Sequence, residues 1–438
     1  MMRSHPPGHD GSAMATATSS LPSDASVSTN KTVFPRLTAM MLLEFVVFGS
    51  WFATLGLVLA TNGLPAIIAN AYLLAAVAAI VSPMFLGALG DRFMSSQKVL
   101  GVAHFAGGAL MLFLPGAVQA GDGNLVLVLV FGYMLFFMPT LGLSNSIAFR
   151  HLGNRQDLFP YIRVFGTLGW VVAGLFVGAL GLSASPSIFY VTAVASFAFG
   201  LYSFTLPATP PPAKGVKFSI GDVVGAKAFQ LFRHRNFVVF MICATLTSIG
   251  LAIYNAFSSP YLGALGIENV AGVLAIGQAS EVLFIMTIPW VLKKIGMKWA
   301  LLAGMFMWGV RFALFIAAAG DQQWLAILAI ALHGICSDFF LVVGAMYIDQ
   351  VSPVEVTAQA QSMLILVISG VGAVIGTFVS GQIFGSTVAV NPTAGPEVWA
   401  PLWLLPVGTA ILTAIIWIAF FRHSRHQDVK RFEAAPAT

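Results

Sequence analysis

Charge is what this sequence has least of. Asp, Glu, Lys and Arg together make up 8% of its 438 residues, against about 25% in a typical soluble domain. A chain this poor in charge, 58% hydrophobic and with a mean hydropathy of +0.89, is solvated mostly by lipid. Cysteine is nearly absent. Cys243 and Cys336 both fall in apolar runs, which excludes a disulfide framework and a CxxC metal motif. No phosphate-binding G-x-x-x-x-G-K-[ST] loop and no H-E-x-x-H helix occurs. ATP bound within the chain is thereby excluded as an energy source, and so is a zinc-hydrolase site of that kind. Strict apolar–polar alternation is missing as well. Runs such as Leu125 to Met138 are apolar on every side, which excludes a membrane barrel and favours helices.

What the chain does have is long apolar runs. At roughly 20 residues per crossing, they predict spans over 35–59, 65–89, 97–117, 124–148, 160–182 and 186–206, then over 236–258, 270–292, 298–319, 323–348, 358–384 and 399–421. Residues 1–32, rich in Ser, Thr, Ala, Pro and Gly, read as a disordered tail. They carry no apolar core of a signal peptide, so the first span is expected to direct insertion. Residues 207–235, with Pro207, Pro210, Pro211 and Pro212 followed by Lys214, Lys217, Lys227, Arg233 and Arg235, form the one long polar break. It divides a six-helix bundle over 33–206 from a second over 236–421, and residues 422–438 form a basic tail.

The net charge of +5 points to orientation rather than to nucleic acid. Arg92, Lys98, Arg150, Arg155, Lys293, Lys294, Lys298, Arg422 and Arg425 fall in loops on one side. The opposite loops hold Asp122, Glu268, Asp321 and Glu397. By the positive-inside rule the basic side, with both termini, is cytoplasmic. The expected fold is an all-α membrane protein with twelve transmembrane helices in two six-helix bundles, the plan of the major facilitator fold. Gly87, Asp91 and Arg92 after the second span fit that superfamily's G-x-x-x-D-R pattern, which also describes an ordinary turn with solvated charges.

Against this apolar background a few polar groups stand out. A charge in hydrocarbon costs several kcal/mol, about 3 on insertion scales, and persists where it meets a partner or a water-filled cavity. Gln278 and Glu281 are three apart on one helical face, and Glu281 is about 16 Å from either surface at 1.5 Å per residue. Asp338 and His333 lie inside the tenth span and Arg311 inside the ninth, where it is expected to neutralise a carboxylate. Burial favours a neutral acid and a nearby cation favours the carboxylate, so an aspartate whose surroundings change can bind and release a proton. Arg163 and Thr167 share a face of the fifth span. The planar fork of Arg163 suits carbonyl or hydroxyl groups. Asn255, in the seventh span, offers a donor and an acceptor together. Glu44 in the first span is a further candidate for proton handling, and His104 lies inside the third. Each of these groups also has a structural reading: a carboxylate held by a neighbouring helix, a cap, or a residue at the membrane surface. Gly370, Gly372, Gly376, Ser380 and Gly381 thin one side of the eleventh span, which reads as a packing face.

The blocks MPTLGLSNSIAF (138–149), RVFGTLGW (163–170), QASEVLFIMTIPWVLKKIG (278–296), RFALF (311–315), DFF (338–340) and VSPVEVTAQAQSM (351–363) resemble the bacterial nucleoside:proton symporters of the major facilitator superfamily. The resemblance runs from roughly residue 36 to 425. It implies nucleoside uptake across the inner membrane driven by the proton gradient. It further implies nucleoside contacts from Arg163, Thr167, Asn255, Gln278 and Glu281, and proton coupling at Asp338, Glu281 or Glu44. The chain departs from the family pattern at Ala252, where relatives can carry an amide, at Glu44, where an uncharged amide is usual, and at Ser337, where an aromatic residue precedes the acid. The partners expected are a nucleoside, a proton and the lipid bilayer, with no nucleic acid, no cofactor and no metal, and the chain is expected to work as a monomer. The alternatives are a proton symporter for sugars or other polar metabolites and a non-transporting membrane sensor. An enzyme would show a nucleophile–base set or metal ligands at one depth, and neither is evident.

Overall fold

The fold was analysed in a computed structural model, which describes residues 32–82, 94–153, 155, 158–210 and 226–422. The G-x-x-x-D-R residues, most of the central linker and both tails lie outside them. Among the described residues nine helices are long and apolar enough to cross a membrane. The remaining crossings are two shorter apolar helices and a first span that is broken in two. In chain order the spans are α1 (Val33–Gly49 and Leu55–Thr61), α2 (Pro65–Ser82), α3 (Ser96–Gln119), α4 (Gly123–Leu152), α5 (Phe159–Ala179) and α6 (Ile188–Ser203). They continue as α7 (Arg235–Ala264), α8 (Val270–Ile285), α9 (Ile288–Ala318), α10 (Gln323–Ala331 and His333–Val351), α11 (Val354–Ile365 and Ala373–Thr387) and α12 (Ala400–Phe420).

Several spans expected to be continuous are interrupted, each for a local reason. α1 breaks at residues 50–54, where the Ser50 hydroxyl donates to Val47 O at 2.9 Å and pairs with Thr192 Oγ1 at 2.7 Å. Hydroxyls that bond backbone carbonyls compete with the helix ladder. The expected span 270–292 stops at Ile285 and restarts at Ile288. Pro289 supplies no N–H and its ring crowds the carbonyl of Ile285, four residues back. The restarted piece runs on to Gly296, whose φ of 77° turns the chain into the rest of α9. α10 breaks at Leu332, and residues Asp338–Val342 form a wider π-turn. α11 carries a similar turn at Leu366–Gly372. Such turns cluster at functional sites.

The halves meet at the end of the bundle marked by the exposed acids Asp122, Glu268, Asp321 and Glu397. There α1 packs on α7, α2 on α11 and α5 on α8. The approach is backbone to backbone. A Cβ at Gly56 would collide with Ala256 O, one at Gly178 with the Asn269 side chain, and one at Gly381 would come within 2.6 Å of Ala69. Hydrogen bonds from Leu57 N to Ser259 Oγ (3.2 Å) and from Ala271 N to Ser183 Oγ (3.2 Å) cross the same seam. A hydrophobic core continuous through both halves lies behind it. At the basic end each half is tied to itself. Lys298 Nζ donates to Phe421 O at 2.6 Å, Asn236 exchanges two hydrogen bonds with Arg422, and Tyr202 donates to Arg36 O. The last six spans have a separate core at this end. Ala228 and Leu231, from the end of the stretch expected to be a loose linker, are buried in it.

The glycine-lined face of α11 packs as expected, with Gly372 against Ser248, Gly376 against Ala252 and Ile249, and Gly381 against Ala69.

Filling the seam should oppose this arrangement. Gly56→Ala is expected to cost it about 1–3 kcal/mol, an approximately 5- to 150-fold change in the equilibrium between conformers. Electron–electron distance measurements between spin labels at Thr61 and Glu268 should then show the acidic end opening.

Candidate functional site

The lipid-facing side of α8 is apolar and exposed at Ile276, Leu283 and Met286. Gln278 and Glu281 lie on the opposite side, about 60° apart at 100° per residue, and both are partly exposed. Water therefore reaches them from inside the bundle. α5 has the same arrangement, with Tyr161, Val172, Leu175 and Phe176 exposed on one side and Arg163 and Thr167 partly exposed on the other. α7 has no lipid face near its middle. Residues 252–262 are all buried except Asn255, so Asn255 opens onto an internal space. Thr167, Asn255 and Gln278 make no hydrogen bond within the protein among the described residues, and their polar ends are free.

Around Glu281 the second half is tightly organised. Arg311 is 1% exposed. Its Nε donates to Ala329 O at 2.6 Å and its Nη1 lies 2.9 Å from His333 Nδ1. His333 Nε2 lies 3.2 Å from Glu281 Oε1. The guanidinium also sits over the rings of Tyr254 (4.3 Å) and Trp308 (4.9 Å), and His333 stacks on Tyr254 at 4.9 Å. The direction of this chain is fixed by chemistry. An arginine only donates, so His333 Nδ1 accepts. His333 Nε2 then carries the proton and donates it toward Glu281. Protonating His333 at Nδ1 would break its bond to Arg311, so His333 is a neutral connector rather than a proton carrier. From the sequence Arg311 is expected to neutralise a carboxylate. In the structure a histidine stands between them, because Glu281 is on α8 and Arg311 on α9 while α10, broken at Leu332, inserts His333 between the two.

Ser280 pins this arrangement. Its hydroxyl accepts from Gly334 N at 2.8 Å, just past the α10 break. A Cβ at Gly334 would come within 2.5 Å of Ser280 O. Asp338, in the π-turn, is 4% exposed and its Oδ2 has no hydrogen-bond partner. It lies within electrostatic range of Glu281. Gly304 of α9 fits against the backbone of Phe339 and Phe340 and holds the turn in place.

Arg163 faces the same space from the first half. It lies over Phe45 at 4.3 Å and within electrostatic range of Glu281 and of Glu44. Electrostatic range thus links Arg163 of the first half to Glu281 and Glu281 to Asp338, while Thr167 and Gln278 share the helical faces of Arg163 and Glu281.

Glu44 is different. It was expected as a further candidate for proton handling, and its burial is complete at 0% exposed, so it does not face the space between the halves. It is enclosed by α3 and α4, held by Thr140 and Ser144. Trp51 and Phe137 are likewise sealed in the core. Tyr254, Trp308 and Ala329 were missed by sequence reasoning. They look like ordinary span residues and acquire roles only through Arg311. Among the described residues no group of three or more His, Cys, Asp or Glu side chains could hold a metal ion.

Two six-helix halves meeting over unpaired polar side chains at mid-depth define a multi-pass membrane transporter of the major facilitator type. The chain belongs to the nucleoside H+ symporter family, whose model matches residues 31–426. YegT of Escherichia coli (strain K12) is 35% identical over 405 residues, 90% of this chain and 94% of its own length. The nucleoside permease NupG of the same organism is 30% identical over 411 residues, 89% of this chain and 96% of its own. The xanthosine permease of that organism is 29% identical over 413 residues, 90% of this chain and 97% of its own. A crystal structure of NupG superposes with a TM-score of 0.78 at 27% identity, covering 90% of this chain and all of that one. The peptide transporter PepTSo, at 14% identity and a TM-score of 0.68, shares the fold alone.

His333→Phe should leave Arg311 Nη1 without its acceptor and Glu281 without its donor, at a cost of about 3–5 kcal/mol. His333→Gln, which can both accept and donate, should recover most of it. Thermal unfolding of the detergent-purified variants separates the two outcomes.

Proposed function

We propose that the protein imports nucleosides across the bacterial inner membrane together with protons, by alternating access between its two halves. The observation that carries this reading is the set of free hydrogen-bonding side chains on both halves: Thr167 beside Arg163 in the first, and Asn255 and Gln278, with the His333-held Glu281, in the second. A nucleoside presents ribose hydroxyls and base edges that need several such partners at once. Ligands held from both sides bias the two halves toward closing on them.

In this reading the basic loops face the cytoplasm, both termini are cytoplasmic, and the chain works as a monomer in the lipid bilayer. The sealed acidic end is then periplasmic, and the structure corresponds to an inward-facing state. The halves, 33–206 and 236–421, are the rocking bodies. Asp338 and Glu281 share the coupling proton. Two carboxylates in one poorly solvated site repel, and a proton on either relieves the repulsion and removes a buried charge before reorientation. Arg163 binds ligand oxygens from the first half. The Arg311–His333 pair fixes the orientation of the Glu281 carboxylate.

Labelled uridine or adenosine should enter proteoliposomes faster when the outside is acidic, and a protonophore should abolish accumulation. Saturable uptake of sugars with none of any nucleoside would overturn the substrate assignment. Asp338→Asn should retain uridine binding and lose uphill accumulation. Unchanged accumulation would remove Asp338 from coupling.

A further inference from the structure

The Glu44 cluster lies outside the mechanism above, and its hydrogen bonds do not balance for a carboxylate. Thr140 Oγ1 is 2.6 Å from Glu44 Oε1 and also 2.6 Å from Phe137 O. Ser144 Oγ is 2.6 Å from Glu44 Oε2. A threonine hydroxyl has one proton to give. Phe137 O is a carbonyl and can only accept, so with one hydrogen on each short contact the Thr140 proton lies on this one. The short contact between Thr140 Oγ1 and Glu44 Oε1 then needs a proton from Glu44 itself, because two oxygens at 2.6 Å with no hydrogen between them repel. The consistent assignment is Glu44 Oε1–H donating to Thr140 Oγ1, Thr140 donating to Phe137 O, and Ser144 donating to Glu44 Oε2.

We propose that Glu44 is a second proton-binding site of this transporter, sealed inside the first half and occupied in this conformation. The charged and titratable groups around it agree. His104 of α3 places Nε2 at 3.7 Å from Oε2, beyond hydrogen-bond distance, and that nitrogen has no other partner. The two are therefore not a hydrogen-bonded ion pair. Tyr133 of α4 adds a neutral phenol whose interaction with Glu44 is electrostatic only. Among the described residues Arg163 of α5 is the arginine in electrostatic range, and it interacts with both Glu44 and Glu281. A proton on Glu44 leaves that cation to Glu281 and to the ligand. An ionised Glu44 would compete for it. The site thus sets how much of the Arg163 charge is available across the interface, which rests on the transport reading. The presence of the proton does not.

Infrared spectroscopy of the purified protein in lipid vesicles, without substrate, tests the proposal. A buried protonated carboxyl gives a C=O stretch well separated from the carboxylate bands. That band should be lost in Glu44→Gln, which preserves shape and can still bond Thr140. It should shift in Thr140→Val, where the acid proton loses its acceptor. A wild-type spectrum unchanged in this region by both substitutions would overturn the proposal. Because no nucleoside is added, the result is independent of whether nucleosides are the substrate.

Discussion

The organisation of the second half follows from the cost of placing an arginine in oil. Arg311 cannot lose its charge, and it is buried almost completely. Three kinds of neighbour answer that constraint in part: a backbone carbonyl at Ala329, two aromatic faces, and an imidazole that hands the bond on to Glu281. The breaks in α8 and α10 make this possible. An uninterrupted α10 would keep the carbonyls near Leu332 and the helix axis in register, whereas the break and the π-turn bring His333 to Glu281 and Asp338 into its electrostatic range.

The first half meets the same problem by another route. Its buried acid Glu44 is met by the hydroxyls of Thr140 and Ser144, with the His104 imidazole 3.7 Å away. The two halves, alike in plan, therefore carry their polar groups differently. The second leaves Asn255, Gln278 and Glu281 partly exposed while burying Arg311, His333 and Asp338, and the first, apart from Arg163 and Thr167, encloses its own.

Much of this was legible in the sequence. Twelve apolar runs and their loop charges predict the spans, and Gln278, Glu281 and Asp338 declare themselves as polar residues that hydrocarbon would otherwise exclude. The positions Arg163 and Asn255 required the family resemblance as well, since each has an ordinary structural reading at its depth. What was not legible depends on three-dimensional neighbours. The order Arg311–His333–Glu281 joins three helices, and nothing in the spacing of those residues shows that the histidine intervenes. The sealing of Glu44 depends on Thr140 and Ser144, whose four-residue spacing on one face of α4 was visible but could not be matched to α1. The interruption at Met286–Thr287 was signalled by Pro289, and that at Leu332 by no residue of its own.

The one-way polarity of the arginine–imidazole–carboxylate chain carries a further consequence. A wire that passes protons must be able to reset by exchanging donor and acceptor at each station. Here the first station is a guanidinium that never accepts, so the chain has a dead end on its far side. A proton that reaches Glu281 therefore finds no onward path through His333 and Arg311.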